Sequence, residues 1–186
     1  MRFRFGWPAA ILLGLGLGAA ACTTEPPPPC PPVSILADAG AITQFAPNRG
    51  QDLTDVSFRG SIEQVGTVCE YNRARDTVTS TTGVRLLATR GPAADSNEAS
   101  LVFFVAIVDK EDNILARERF ESRMTFQANQ RQAGVVEEIE QIIPIRQGLR
   151  GLDYQILVGF ELNPEQLEFN REERQRRTGL PRLPGR

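Results

Sequence analysis

Histidine is missing from all 186 residues, and lysine occurs once, at Lys110. Without an imidazole there is no Ser-His-Asp triad, no Cys-His pair and no histidine-based zinc site. No glycine-rich phosphate loop carrying a lysine is present. Cysteine is nearly as scarce: Cys22, Cys30 and Cys69 are the three in the chain, and two of them paired leave no thiolate cage. The residues thus imply no metal and no cofactor. The remaining basic side chains are arginines, and 21 basic residues face 23 acidic ones. That balance does not suit nucleic-acid binding.

What is present begins at the N-terminus. Arg2 and Arg4 precede an apolar run from Ile11 to Leu17, and Ala19-Ala20-Ala21 follow. A basic, then apolar, then small-residue order is that of a secretory signal peptide over residues 1–21. Phe5 to Ala21 is shorter than the ~20 residues a spanning helix needs, and five of its residues are Gly or Pro. Removal of the segment leaves 165 residues, a single-domain length. Their formal charge is −4, since 19 basic residues remain against all 23 acidic ones.

Cys22 stands directly after the three alanines. This arrangement resembles the lipobox of bacterial lipoproteins, and the resemblance covers residues 1–22. It implies lipidation of Cys22 and a membrane partner for the anchor. With Thr23 rather than Asp in the next position, it also implies outer-membrane sorting, facing the periplasm. Ala19-x-Ala21 fits ordinary signal cleavage as well, so a soluble exported protein is the alternative. An odd cysteine count in an exported protein leaves a thiol to explain. Lipidation of Cys22 accounts for it and leaves Cys30 and Cys69 for a disulfide in an oxidising compartment. A catalytic thiol would need a partner that stabilises the thiolate, and no histidine is available for it.

Residues 22–32 read as a tether. Pro26 to Pro29, Pro31 and Pro32 favour polyproline II. Residues 33–162 read as strands of an antiparallel β-sandwich, with about seven strands separated by turn signals. Val56, Phe58 and Ile62 recur with period two, and Val65 falls out of phase, which predicts a bulge near Glu63–Gly66. Val78, Val84 and Leu86 share one face of the next strand. Leu101 to Val108 is apolar on both faces and predicts a central strand, followed by a hairpin turn at Asp109–Asn113. Ile114, Ala116, Phe120, Met124 and Phe126 continue the alternation, opposite Arg117, Arg119 and Arg123. Val135, Ile139 and Ile143 mark a further strand, and Tyr154 to Leu162 the last; a short one at Val33–Leu36 precedes them all. Leu149 to Tyr154 resembles the tyrosine corner of immunoglobulin-like sandwiches, where a tyrosine at a strand start bonds to upstream backbone. An ordinary half-buried tyrosine is the other reading.

Asn163-Pro164-Glu165-Gln166 carries a cap, a first-turn proline and a capping-box glutamine, so a short helix over 163–177 is expected. Its large apolar residues are Leu167 and Phe169, which predicts little burial. Residues 178–186 read as a disordered tail. Arg171, Arg174, Arg176 and Arg177 make the segment after Leu162 locally basic, at +2 with six arginines against four glutamates. They are candidate contacts for an envelope protein partner.

Glu137, Glu138 and Glu140 form the densest acidic group. Glu138 and Glu140 are expected to pair across strands with the arginines at 117, 119 and 123 if those strands are neighbours. Calcium binding at Asp109, Glu111, Asp112 and Asn113 fails the EF-hand comparison, because Ile114 and Phe120 stand where glycine and glutamate are required. The reading is a non-enzymatic envelope lipoprotein with an accessory or interaction role in outer-membrane assembly or maintenance. A binding module for a small apolar or glycan ligand, with a pocket between the sheets, is the second class. A carboxylate-dependent hydrolase is the third.

Overall fold

The computed structural model describes residues 28–179. The expected signal segment, Cys22, residues 23–27 of the expected tether and residues 180–186 of the expected tail lie outside them. Eight strands form two sheets: β1 (Val33–Ile35), β2 (Ala41–Phe45), β3 (Val56–Tyr71), β4 (Thr77–Arg90), β5 (Glu98–Asp109), β6 (Ile114–Thr125), β7 (Gln132–Pro144) and β8 (Tyr154–Phe160). One helix, α1 (Pro164–Thr178), follows. The sheet orders are β1-β8-β5-β6 and β2-β3-β4-β7. All neighbours are antiparallel except β1 and β8, which run the same way through Val33↔Ile156 to Ile35↔Val158. The fold is the expected β-sandwich with a short C-terminal helix. Its strand order departs from the ABED and CFG sheets of an immunoglobulin domain, so that likeness stops at the architecture and the tyrosine corner.

The inward-pointing residues interleave between the sheets. Val78, Val84 and Leu86 on β4 meet Leu101, Phe103 and Val105 on β5 and Ile156 and Val158 on β8, all at 1% exposure or less. β5 is an interior strand, as its two apolar faces require. The register of β3 on β4 slips between Ile62 and Gln64, which places the bulge at Glu63 and brings Val65 back to the inner face. Tyr154 is buried, and its hydroxyl accepts the Arg146 N–H at 2.9 Å, as a tyrosine corner does.

Three expectations are corrected. First, β2 was not anticipated: it has five residues between turn-forming segments, and its core residue is Ile42, while the buried, polar Thr43 takes the opposite face with Arg59. Second, Ile114 and Ala116 are exposed, and Phe120 is half-buried. Ala116 and Phe120 take the inward face with Ile107 and Phe103, but β6 is the edge of its sheet and the start of the strand is left uncovered; the register shift between Ile107 and Val108 turns Ile114 to the outer face with Val108. Third, β6 and β7 belong to different sheets. Glu138 and Glu140 therefore lie across from Gly83 and Thr81 on β4, not from arginines.

The inner face of the second sheet carries a polar band. Thr67 Oγ1 and Ser80 Oγ share a hydrogen bond of 2.7 Å. Among the described residues, Thr82 Oγ1 has no partner although Thr82 is fully buried. An unpartnered buried hydroxyl opposes folding. Thr82→Val keeps the shape and β-propensity and is expected to raise stability by about 1 kcal/mol in urea unfolding.

Candidate functional site

Two places in the molecule join chemistry-bearing residues from distant parts of the chain. The first is the end where the proline-rich segment read as a tether enters. Cys30 and Cys69 are disulfide-bonded, with Cα atoms 5.7 Å apart across 39 positions of sequence. The Tyr71 hydroxyl donates to Pro29 O at 2.7 Å, and Ile156 N–H donates to Pro32 O at 2.8 Å. Burial pushes the Tyr71 phenol above its ordinary range, offset in part by the Gly151 N–H. Gly151 makes room for this contact: a Cβ there would sit 1.9 Å from the Tyr71 hydroxyl oxygen and displace it. The prolines and the disulfide thus fix the entry point to the body of the sandwich. Loops 72–76 and 145–153 close the same end, tied to each other by Ile145 N–H on Asp76 O at 2.8 Å. The 109–113 hairpin joins them, since Asp109 pairs with Tyr154.

That hairpin is self-contained. Asp109 is 6% exposed, and its Oδ1 accepts the N–H groups of Glu111 and Asn113 at 3.0 and 2.9 Å. The Asn113 side-chain amide holds the carboxyl below the usual carboxylate range, against desolvation and with help from those N–H groups and Arg146. Its oxygens are occupied by the turn they stabilise. Among the described residues, no group of three Cys, Asp or Glu side chains is disposed to hold a metal ion.

The second place is the free edge of β2, where α1 docks. Asn163 caps the helix by accepting Gln166 N–H at 2.8 Å, while Gln166 Oε1 accepts Asn163 N–H at 3.0 Å. Gln166 turns its Nε2 toward Thr43 O at 3.4 Å. Asn170 donates its Nδ2 to Ala41 O at 2.7 Å and Asp38 O at 2.9 Å. Residues four apart on a helix rise about 6 Å, and alternate residues on a strand are spaced by about 6.6 Å. Gln166 and Asn170 thus stand in for the N–H groups of a missing neighbour strand, on carbonyls that an edge leaves unpaired. Phe169 packs edge-to-face on Phe45, with ring centroids 5.8 Å apart. The helix ends at Gly179, whose φ of 63° is left-handed, with its N–H on Gln175 O at 3.0 Å.

All four candidate arginines lie on this helix, and all are ion-paired. Arg174 Nη2 is 2.7 Å from Asp38 Oδ1, and Arg171 Nε is 3.4 Å from Asp38 Oδ2. Arg176 and Arg177 share Glu173 at 3.1 and 3.4 Å. Arg171 and Arg174 therefore help to seat the helix, while Arg176 and Arg177 are the more exposed pair, at 64% and 74%. Sequence reasoning missed Asp38, Gln166 and Asn170 as docking residues. The spacing of Gln166, Asn170 and Arg174, four residues apart each time, was the available signal.

Of the glutamates, Glu137 turns inward and accepts the Ser122 hydroxyl at 2.7 Å, whereas Glu138 and Glu140 are exposed. A cavity of about 560 Å³ opens between the first turn of α1 and residues 43–51, lined by Thr43, Phe45, Arg49, Gln166 and Phe169 among others. It lies outside the space between the sheets. No family model, curated protein or solved structure matches the chain.

Proposed function

We propose that the protein is a lipid-anchored envelope module of non-enzymatic, accessory type, held by Cys22 at the periplasmic face of the outer membrane. The observation that carries this reading is the Cys30–Cys69 disulfide. It supports an oxidising compartment and uses two of the three cysteines, so that the thiol left over is the one after the signal-like segment. The disulfide also lies where the tether meets the sandwich, so a pull on the anchor would reach the core of the fold rather than a loose end. The partner-facing candidates are Arg176 and Arg177, with Arg171 and Arg174 behind them. An acidic protein surface suits them, and such an association weakens as salt rises.

Cys22→Ser tests the anchor. In the parent organism or a bacterial host it is expected to move the protein from the membrane fraction to the soluble periplasm, or to stall processing. Retention in membranes at the wild-type level, with the signal removed, would refute the anchor.

A further inference from the structure

The lipid-anchor reading says only that the domain is held near a leaflet. We propose, resting on that reading, that the end of the sandwich where the tether enters is itself a membrane-contact face, with Leu152 at its centre. Cys22 and Cys30 are eight residues apart. Such a span reaches at most about 28 Å even when fully extended. The Cys30–Cys69 end of the domain is therefore held within that distance of the anchor.

The surface chemistry of that end fits a bilayer. Of the seven exposed large apolar side chains among the described residues, Leu152 (50%), Ile142 (65%) and Ile114 (65%) lie there, with Leu115 beside Ile114; Val68 and Val136 lie along the outer face of the second sheet, and Leu53 at the far end. Leu152 follows Gly151, the residue packed on Tyr71 and Pro29 at the tether. Ile142 sits on the outer face of β7 two residues before the strand ends at Pro144, opposite Thr79. Ile114 opens β6 directly after the 109–113 hairpin. Scattered apolar residues need no explanation, but their gathering at the tethered end does.

The charges beside the tether point the same way. Loops 72–76 and 145–153 carry Arg73, Arg75, Arg146 and Arg150 against Asp76 and Asp153. Asp76 accepts from Asn72 and Thr77, and Asp153 accepts the Arg150 N–H, with the Arg150 guanidinium 3.8 Å from the same carboxylate. The Arg150 side chain is 78% exposed. Arginines with long apolar stems suit the headgroup region, around a leucine that enters the acyl boundary. The 109–113 hairpin has the opposite balance, with Lys110 against Asp109, Glu111 and Asp112. The domain should therefore sit tilted, with the 145–153 loop and Ile142 toward the bilayer and the hairpin, with Ile114 and Leu115 beside it, raised.

Tryptophan supplies the test. The single tryptophan is Trp7, within the signal segment, so the processed chain has none. Leu152→Trp and Leu53→Trp each create one reporter. Both full-length, processed proteins are reconstituted in phosphatidylcholine–phosphatidylglycerol vesicles with brominated acyl chains. Leu152→Trp emission is expected to fall at least about twofold against unbrominated vesicles, from insertion to the headgroup–acyl boundary. Leu53→Trp emission should not change. Equal, unquenched emission from both variants, in protein whose mass shows an acylated Cys22, would overturn the contact and leave the anchor standing. An unmodified Cys22 with the protein left in the supernatant would overturn both.

Discussion

Loss of the Cys30–Cys69 bond is expected to lower the unfolding free energy by about 4 kcal/mol, the loop-entropy value for a closure of this length. The bond spans 39 positions, so it removes a large part of the unfolded chain's freedom. It also pins the start of β1, which has three residues and pairs along one side with β8. Without the bond, β1 and the tether would depend on Tyr71 with Pro29 and on Ile156 with Pro32. Each of those hydrogen bonds contributes about 1 kcal/mol net. The clean variant is Cys30→Ser with Cys69→Ala, which leaves no unpaired thiol in the domain. Urea unfolding of the variant, beside wild type with and without reductant, reads the difference, and the melting temperature should fall by roughly 10 °C. A loss below about 1 kcal/mol would mean that the unfolded chain is already compact around this loop.

Truncation after Leu162 is the second large effect, and it should cost about 2 kcal/mol. The few apolar residues of the segment argue from sequence for a smaller loss, and no residue of α1 is fully buried. The structure adds what composition does not record. Phe169 packs on Phe45, and Gln166 and Asn170 satisfy carbonyls of the β2 edge. Their gain is partly offset by the entropy of ordering the helix. The exposed pairs of Arg171 and Arg174 with Asp38 add little. Removal of the helix also bares a sheet edge, so the truncated protein should associate in a concentration-dependent way where the full chain does not. Thermal unfolding and sedimentation at several concentrations check both parts. An unchanged melting temperature with no association would show that the helix rests on the sandwich without covering it.

The physical reasons for what was legible are local. Alternation and, for β5, an apolar run bounded by turn signals located seven of the eight strands, and the phase break after Ile62 located the bulge, because all are written in consecutive residues. The helix cap was readable for the same reason, since Asn163 and Gln166 are three residues apart. Pairing was not readable. The arginines of β6 and the glutamates of β7 look complementary on paper, but strand order is set by inter-sheet packing, which placed β7 beside β4. The exposure of Ala116 follows from the same cause, since alternation tells which face a side chain takes, not whether another sheet covers that face; Ile114 is exposed because the register shift after Ile107 turns it outward. The docking of α1 depends on backbone carbonyls of β2, and these carry no sequence signature. The disulfide was legible only through counting, since the lipidation of Cys22 that the lipobox resemblance implies leaves one pair of the three cysteines.

The most direct test of the lipid-anchored reading is the intact mass of the mature protein, purified from membranes, with its N-terminal peptide mapped. The account predicts a chain that begins at Cys22 and carries acyl chains on that residue, with Cys30 and Cys69 disulfide-linked. A chain that begins at Cys22 with a free, unmodified thiol, or one that retains residues 1–21, would contradict it.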